Sequence, residues 1–204
     1  PLENLLGLAP GDPGWDEATW SLYTELPHDE RYHDLARRLQ SELRPEYKSD
    51  PIALAFAVKQ YLEENTTYSF KRKYTGDDPT GEFLFSEDKR GYCVHLAHAA
   101  AYLMRALGLP ARVSAGYAVP AANLGTGSAL LIKEGDAHAW AELYLEGLGW
   151  LPIEVTPQKT DVEPAPFEEQ DLQQLLGEMA RKEGRFERAP PTGPKLMDYL
   201  RAAW

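Results

Sequence analysis

A chain of 204 residues with 43% hydrophobic content is long enough to bury a core as one domain, with length to spare for an appended segment. Lysine and arginine number 21 against 32 acids, a formal charge of −11 without any basic run, which argues against a nucleic-acid partner and leaves the acidity to serve solubility. One cysteine cannot form an intramolecular disulfide, no apolar run approaches a membrane span, and no signal peptide is visible; the chain starts at Pro1 rather than Met, so the expectation is a domain of a longer protein.

Residues 1–28 mix Gly, Pro, Trp and acids without a sustained period and read as irregular, with at most one short helix. Asp29 is a cap for a helix reaching about Leu43, with Tyr32, Leu35, Ala36 and Leu39 as its apolar stripe. Asp50-Pro51 is a clearer start, a capping side chain followed by proline at the first helical position, opening IALAFAVKQYLEEN and a helix to about Asn65. Thr66–Tyr74 is rich in β-branched and aromatic residues and reads as a short strand. The following GDDPTGE is turn-rich, and Phe83-Leu84-Phe85 is an apolar plug.

The only cysteine, Cys93, opens a helix whose apolar positions are Leu96, Ala97, Ala100, Ala101, Leu103, Met104 and Leu107. Gly108 and Pro110 end it, and Arg112–Tyr117 should be extended. Gly91 lets the backbone turn into the helix, so Cys93 should lie in the first turn, where unpaired N–H groups favour a thiolate. A free cysteine is otherwise a small buried hydrophobe.

AANLGTG, between Pro120 and Gly127, is a loop of the kind that borders substrate clefts, and it leads to a strand near Ala129–Lys133. His138–Leu145 sets His138, Trp140, Glu142 and Tyr144 against Ala139, Ala141, Leu143 and Leu145, and Trp150–Thr156 alternates likewise. A three-residue loop at Leu145-Glu146-Gly147, with Gly147 left-handed, puts Trp150 opposite Glu142 and Glu154 opposite His138. Opposed Cβ atoms lie roughly 5 Å apart, within reach of a carboxylate–imidazole hydrogen bond. A four-residue loop would put the two on opposite faces. Phe167, Leu172, Leu175, Leu176 and Met179 then suggest an amphipathic helix, followed by a proline-rich tail ending in Leu196, Tyr199, Leu200 and Trp204. The organisation expected is an extension over 1–49, a core over 50–158 and a C-terminal helix and tail over 159–204, packed as one compact α+β domain.

A cysteine at a helix start, a histidine on a strand and an acid able to orient that histidine are the parts of thiol-based acyl transfer. Cys93 would attack an amide carbonyl, His138 would protonate the leaving amine, and Glu154 would fix the imidazole tautomer. The Cys93 backbone N–H is a natural oxyanion donor and Tyr68 a candidate second. Tyr92 and Trp140 are expected to line the cleft, Trp140 because it shares the face of His138; Arg112 is expected to support the sheet.

GYCVHLAHAAAYLMRALGLPARVSAGY followed by DAHAWAELYLEGLGWLPIEVTPQ resembles the core of the transglutaminase-like superfamily, and within it the bacterial membrane-anchored transglutaminase-like proteins. The resemblance implies a papain-like α+β fold, a Cys-bearing helix packed on an antiparallel sheet, a Cys-His-Asp triad falling on Cys93, His138 and Glu154, a protein or peptide substrate, and no organic cofactor. It also implies an extracytoplasmic, periplasmic-side domain beside membrane spans of a parent protein. The family usually has aspartate where this chain has Glu154, and an acid and phenylalanine where it has His95 and Leu96.

Three alternatives stay open. Asp136 is a rival acid for His138, with a loop residue at the strand entrance as its plainer reading. Cys93, His95 and His98 hint at a metal, but Cys93 and His95 lie about 200° apart on a helix, so no metal site is expected. Finally, the scaffold would also serve as a non-catalytic peptide-binding or assembly module.

Overall fold

The computed structural model describes residues 5–118, 132 and 136–162. The chain divides into two units. One comprises Leu5–Ala115 and His138–Glu163 and holds Tyr68, Tyr92, Cys93, His138, Trp140 and Glu154, whereas the rival acid Asp136 belongs to the other. Of the other (Pro1–Asn4, Gly116–Ala137 and Pro164–Trp204), the described residues are few, and within it the Ala118 N–H donates to the Asp136 carbonyl at 2.8 Å. The loop between Pro120 and Gly127, the strand near Ala129–Lys133 apart from Ile132, and the Phe167–Met179 helix with its tail lie outside the described residues.

The helices are α1 (Glu17–Thr24), α2 (Glu30–Glu42), α3 (Pro51–Asn65), α4 (Pro79–Leu84) and α5 (Cys93–Ala106). The strands are β1 (Thr67–Tyr68), β2 (Arg90–Gly91), β3 (Ala111–Tyr117), β4 (Ala137–Leu145), β5 (Gly149–Ile153) and β6 (Lys159–Thr160). Among the described residues two sheets form, with strand orders β3-β4-β5 and β2-β1-β6. This is the α+β architecture expected, with a Cys-bearing helix and an antiparallel pair β4–β5.

Carboxylates start the helices as the sequence indicates. Asp29 accepts from the Arg31 N–H to open α2, and Asp50 from the Ala53 N–H to open α3. The same signal, Asp78-Pro79, opens α4, with Asp78 accepting from the Gly81 N–H. GDDPTGE is therefore not simply a turn: its last four residues lie in a helix that carries Phe83 and Leu84 into the core at 0% exposure. The strand expected over Thr66–Tyr74 shrinks to Thr67–Tyr68, because its partners on either side are themselves two residues long.

Helix α5 packs against α2, α3 and α4. Its Leu96, Ala97, Ala99, Ala100, Ala101, Leu103 and Met104 are buried, and the run of alanines lets neighbouring backbones approach closely. The Gly108 N–H bonds the Arg105 carbonyl and the Leu109 N–H the Met104 carbonyl, with Gly108 at φ +77°, the left-handed closure expected there. Tyr32 on α2 is fully buried and its hydroxyl donates to both oxygens of Asp78, at 3.0 and 3.1 Å, tying α2 to the start of α4.

In the larger sheet Ala139, Ala141, Leu143 and Leu145 are buried, as the alternation of β4 requires. The β4–β5 register differs from the expectation. Tyr144 pairs with Trp150 and Glu142 with Pro152, because the three-residue turn is Glu146-Gly147-Leu148 and not Leu145-Glu146-Gly147. Gly147 and Gly149 take φ +74° and +87° there. Moving a turn of fixed length by one residue slides the pairing by two, so every side chain keeps its face. On the outer face Trp15, Tyr23, Tyr144 and Trp150 form one aromatic cluster, with Trp15–Tyr144 centroids 4.5 Å apart and Tyr23–Trp150 centroids 4.8 Å apart. The irregular lead-in thereby packs over the hairpin.

Candidate active site

Cys93 is the first residue of α5, with Tyr92 as the extended residue before it. The first helical bond runs from the Leu96 N–H to the Tyr92 carbonyl, so the earlier N–H groups point out of the helix start, where negative charge is favoured. The thiol is partly exposed. Gly91 matters for a reason the sequence conceals: a Cβ there would sit 2.8 Å from the Phe83 ring and 3.0 Å from the His95 Cβ. Close packing, rather than a left-handed backbone, demands glycine. His95 packs against Tyr92, Tyr74 and Phe83 and accepts the Tyr92 N–H on Nδ1 at 3.4 Å. Burial, with a smaller contribution from His98, lowers its pKa and favours the neutral ring. His98 Nδ1 lies 2.8 Å from the Val94 carbonyl oxygen.

Tyr68 reaches Cys93 through the small sheet. Its strand pairs with β2, Tyr68 opposite Gly91, and the Ser69 N–H donates to the Gly91 carbonyl at 2.7 Å. The Tyr68 pKa is pushed up to about 12 by burial first, then by the proximity of Cys93 and by the charge of Glu154. At neutral pH the hydroxyl therefore keeps its proton and remains a donor.

On β4, His138 Nε2 lies 2.9 Å from Oε2 of Glu154. The bond forms although the two are not directly opposed. Extending the observed pairing puts Thr156 opposite His138 and leaves Glu154 on the diagonal, which the longer glutamate side chain spans. The acid is also held from behind. Lys59 on α3 donates to the Glu154 carbonyl at 2.6 Å and to Oε1 of Glu63, and that same oxygen accepts the Thr156 N–H at 3.1 Å.

Trp140 stacks on His138, with centroids 6.2 Å apart and planes 24° apart. Its Nε1–H donates to Glu142 Oε1 at 3.0 Å, and Arg112 donates to Glu142 Oε2 at 2.6 Å while lying 4.2 Å over the Trp150 ring. Glu142 is 8% exposed. Burial opposes its ionisation, but hydrogen bonds from Arg112, Trp140 and Ser114 outweigh that and hold its carboxyl below the ordinary range. Arg112 supports the sheet, as expected. Tyr92 stands between Phe70 and His95, with centroids 5.4 and 4.5 Å away.

The structure thus joins His138 to Glu154 and sets Tyr68 close enough to Cys93 and Glu154 to feel the charge of both. It adds residues that the sequence reading missed: Lys59 and Glu63 behind the acid, and Asp161 beside Tyr68, which binds Ser69 at 3.0 Å and Arg90 at 2.6 Å. The i,i+4 spacing of Lys59 and Glu63 is visible in the sequence, but their bonds to residues more than ninety positions away are not. With Nε2 bonded to Glu154, Nδ1 is the other ring nitrogen of His138.

Comparison with known proteins gives these features a context. Residues 33–155 match the family model described as transglutaminase-like superfamily. A protein-glutamine gamma-glutamyltransferase of Pseudomonas aeruginosa is 38% identical over 141 residues, covering 69% of this chain and 20% of that protein. An uncharacterised protein of Bacillus subtilis, YebA, is 32% identical over 166 residues, 76% of this chain and 21% of that one. The crystal structure of the periplasmic domain of TgpA from Pseudomonas aeruginosa superposes with a TM-score of 0.54 at 33% identity, covering 69% of this chain and 48% of that domain. The chain spans about one fifth of the length of the curated relatives it matches. With more than half of its length in the family match, the chain belongs to the transglutaminase-like superfamily.

Proposed function

We propose that this domain is a thiol-dependent acyl transferase acting on glutamine-side-chain or peptide amides, with Cys93 as nucleophile, His138 as acid–base and Glu154 as the residue that orients the imidazole. The observation that carries the reading is the 2.9 Å bond between His138 Nε2 and Glu154, taken together with a partly exposed cysteine at a helix start. The Cys93 thiol passes its proton to Nδ1 of His138, and the thiolate attacks the amide carbon. The tetrahedral oxyanion takes hydrogen bonds from the Cys93 N–H and the Tyr68 hydroxyl. Collapse breaks the C–N bond, the imidazolium protonates the leaving nitrogen, and a thioester remains. Water or a primary amine then attacks the thioester, His138 removes its proton, and the thiol leaves. No organic cofactor enters these steps. Tyr92 and Trp140 wall the cleft, Trp140 by stacking on the imidazole.

The relative named as a glutamine gamma-glutamyltransferase supports amine transfer and a protein substrate, and the periplasmic neighbour supports an extracytoplasmic location. Among the described residues no helix is long and apolar enough to cross a membrane. The decisive experiment incubates the domain with a peptide library and a labelled primary amine, read by mass spectrometry for amine incorporation, deamidation and cleavage. Alkylation by iodoacetamide accompanies it: at about pH 6 wild type should react much faster than His138→Ala. Equal alkylation rates and an absence of all three products would leave a peptide-binding module instead.

A further inference from the structure

The small sheet around Tyr68 contains a carboxylate that the mechanism above does not use. Asp161 follows β6, lies beyond the residues matched by the family model, and is largely buried, its side chain 19% exposed. Its Oδ2 accepts from Ser69 Oγ at 3.0 Å and from Arg90 Nη1 at 2.6 Å, with Lys71 Nζ 3.5 Å away. Its backbone N–H donates to the Tyr68 carbonyl at 3.1 Å. Oδ1 is buried and has no hydrogen-bond partner among the described residues. A buried acceptor left unsatisfied opposes folding, so the carboxylate is held where it stands by its other contacts.

Two of those contacts, Tyr68 and Arg90, fall on the strands β1 and β2 that hold Tyr68 close to Cys93, and Ser69 and Lys71 follow just past β1. Ser69 is the residue after Tyr68 and is 0% exposed. Arg90 belongs to β2, whose next residue Gly91 pairs with Tyr68, and two residues further comes the cysteine. Tyr68 is thus clamped on both sides, by β2 through Gly91 and by β6 through Asp161, with one carboxylate oxygen bridging the two clamps.

We infer that Asp161 is a positioning residue that holds the Tyr68 hydroxyl at the oxyanion site without touching substrate. This rests on the acyl-transfer reading above. Two chemistries separate the roles. Alkylation of Cys93 by iodoacetamide develops no carbonyl oxyanion, whereas addition of a peptide aldehyde to the thiol gives a hemithioacetal whose oxygen occupies that site. Removal of one oxyanion donor costs about a hundredfold or more in known hydrolases, so a displaced donor should cost roughly tenfold.

The test compares wild type, Asp161→Ala, Asp161→Asn, Tyr68→Phe and the double variant Asp161→Ala/Tyr68→Phe. Asp161→Ala should lower kcat and weaken aldehyde inhibition by about the same factor, roughly tenfold, with KM and the alkylation rate within about twofold of wild type. Tyr68→Phe, which removes the donor, should lose about a hundredfold in kcat and in aldehyde affinity, the double variant should be no worse than Tyr68→Phe, and Asp161→Asn, which keeps an acceptor oxygen, should fall between wild type and Asp161→Ala. Should Asp161→Ala fail to fold, Asp161→Asn and Ser69→Ala carry the same comparison. Equal losses in alkylation and aldehyde binding, or losses that multiply in the double variant, overturn the inference. If His138→Ala alkylates like wild type, the acyl-transfer reading falls instead; histidine-dependent turnover indifferent to Asp161 sinks only the positioning role.

Discussion

At the scale of single residues, the side chain length at position 154 follows from its place on the strand. Because Glu154 approaches His138 along a diagonal, Glu154→Asp should break the 2.9 Å bond despite restoring the residue the family more often carries, and lower kcat by at least about tenfold. Glu154→Gln should retain a hydrogen bond and lose the charge that stabilises the imidazolium; kinetics of the two variants side by side separate reach from charge. Glu142 offers a pH test. Its folded pKa lies below the ordinary value, so its contribution to stability is present above about pH 4.5 and is lost as pH falls through the folded pKa. Urea denaturation should show wild type more stable than Glu142→Gln at pH 7, with the gap narrowing toward pH 3; a constant gap would mean the carboxylate charge contributes nothing. The meeting of His138 with Glu154 was legible in the sequence because two-residue alternation survives an error of two in register. Lys59, Glu63 and Asp161 were not, since their partners lie far along the chain and nothing local marks them.

At the scale of elements, the carboxylate caps should differ in weight. Asp50→Ala removes an N-cap on α3, an effect of about 1 kcal/mol. Asp78→Ala removes a cap on α4 and also strands the fully buried Tyr32 hydroxyl, which adds about 1–3 kcal/mol. Equal shifts of the urea midpoint for the two variants would contradict that coupling. Gly91→Ala should distort the approach to Cys93 by pressing on Phe83, and so depress both stability and alkylation. The longer helices were readable from caps and apolar spacing. Helix α4 was not, although Asp78-Pro79 repeats the Asp50-Pro51 signal, because six helical residues are too few to establish a period. The two-residue strands β2 and β6 have no local signature either; they exist because distant backbones meet.

At the scale of the whole molecule, a net charge of −11 should favour encounters with cationic acceptors such as lysine side chains. On the acyl-transfer reading, rates with lysine-bearing acceptors should fall as salt rises, while rates with a neutral nucleophile such as water should not. The family and the α+β class were legible because the motifs lie in the part of the chain that forms the core; the packing of Trp15 and Tyr23 over the hairpin was not, since the lead-in has no period. The partly exposed Cys93 has no second thiol in this chain to capture it once peroxide has converted it to a sulfenic acid. Damage at that sulfur would therefore be repairable at first by an added small thiol and would pass irreversibly to the sulfinic acid if none arrived, giving inactivation whose reversibility decays with exposure time.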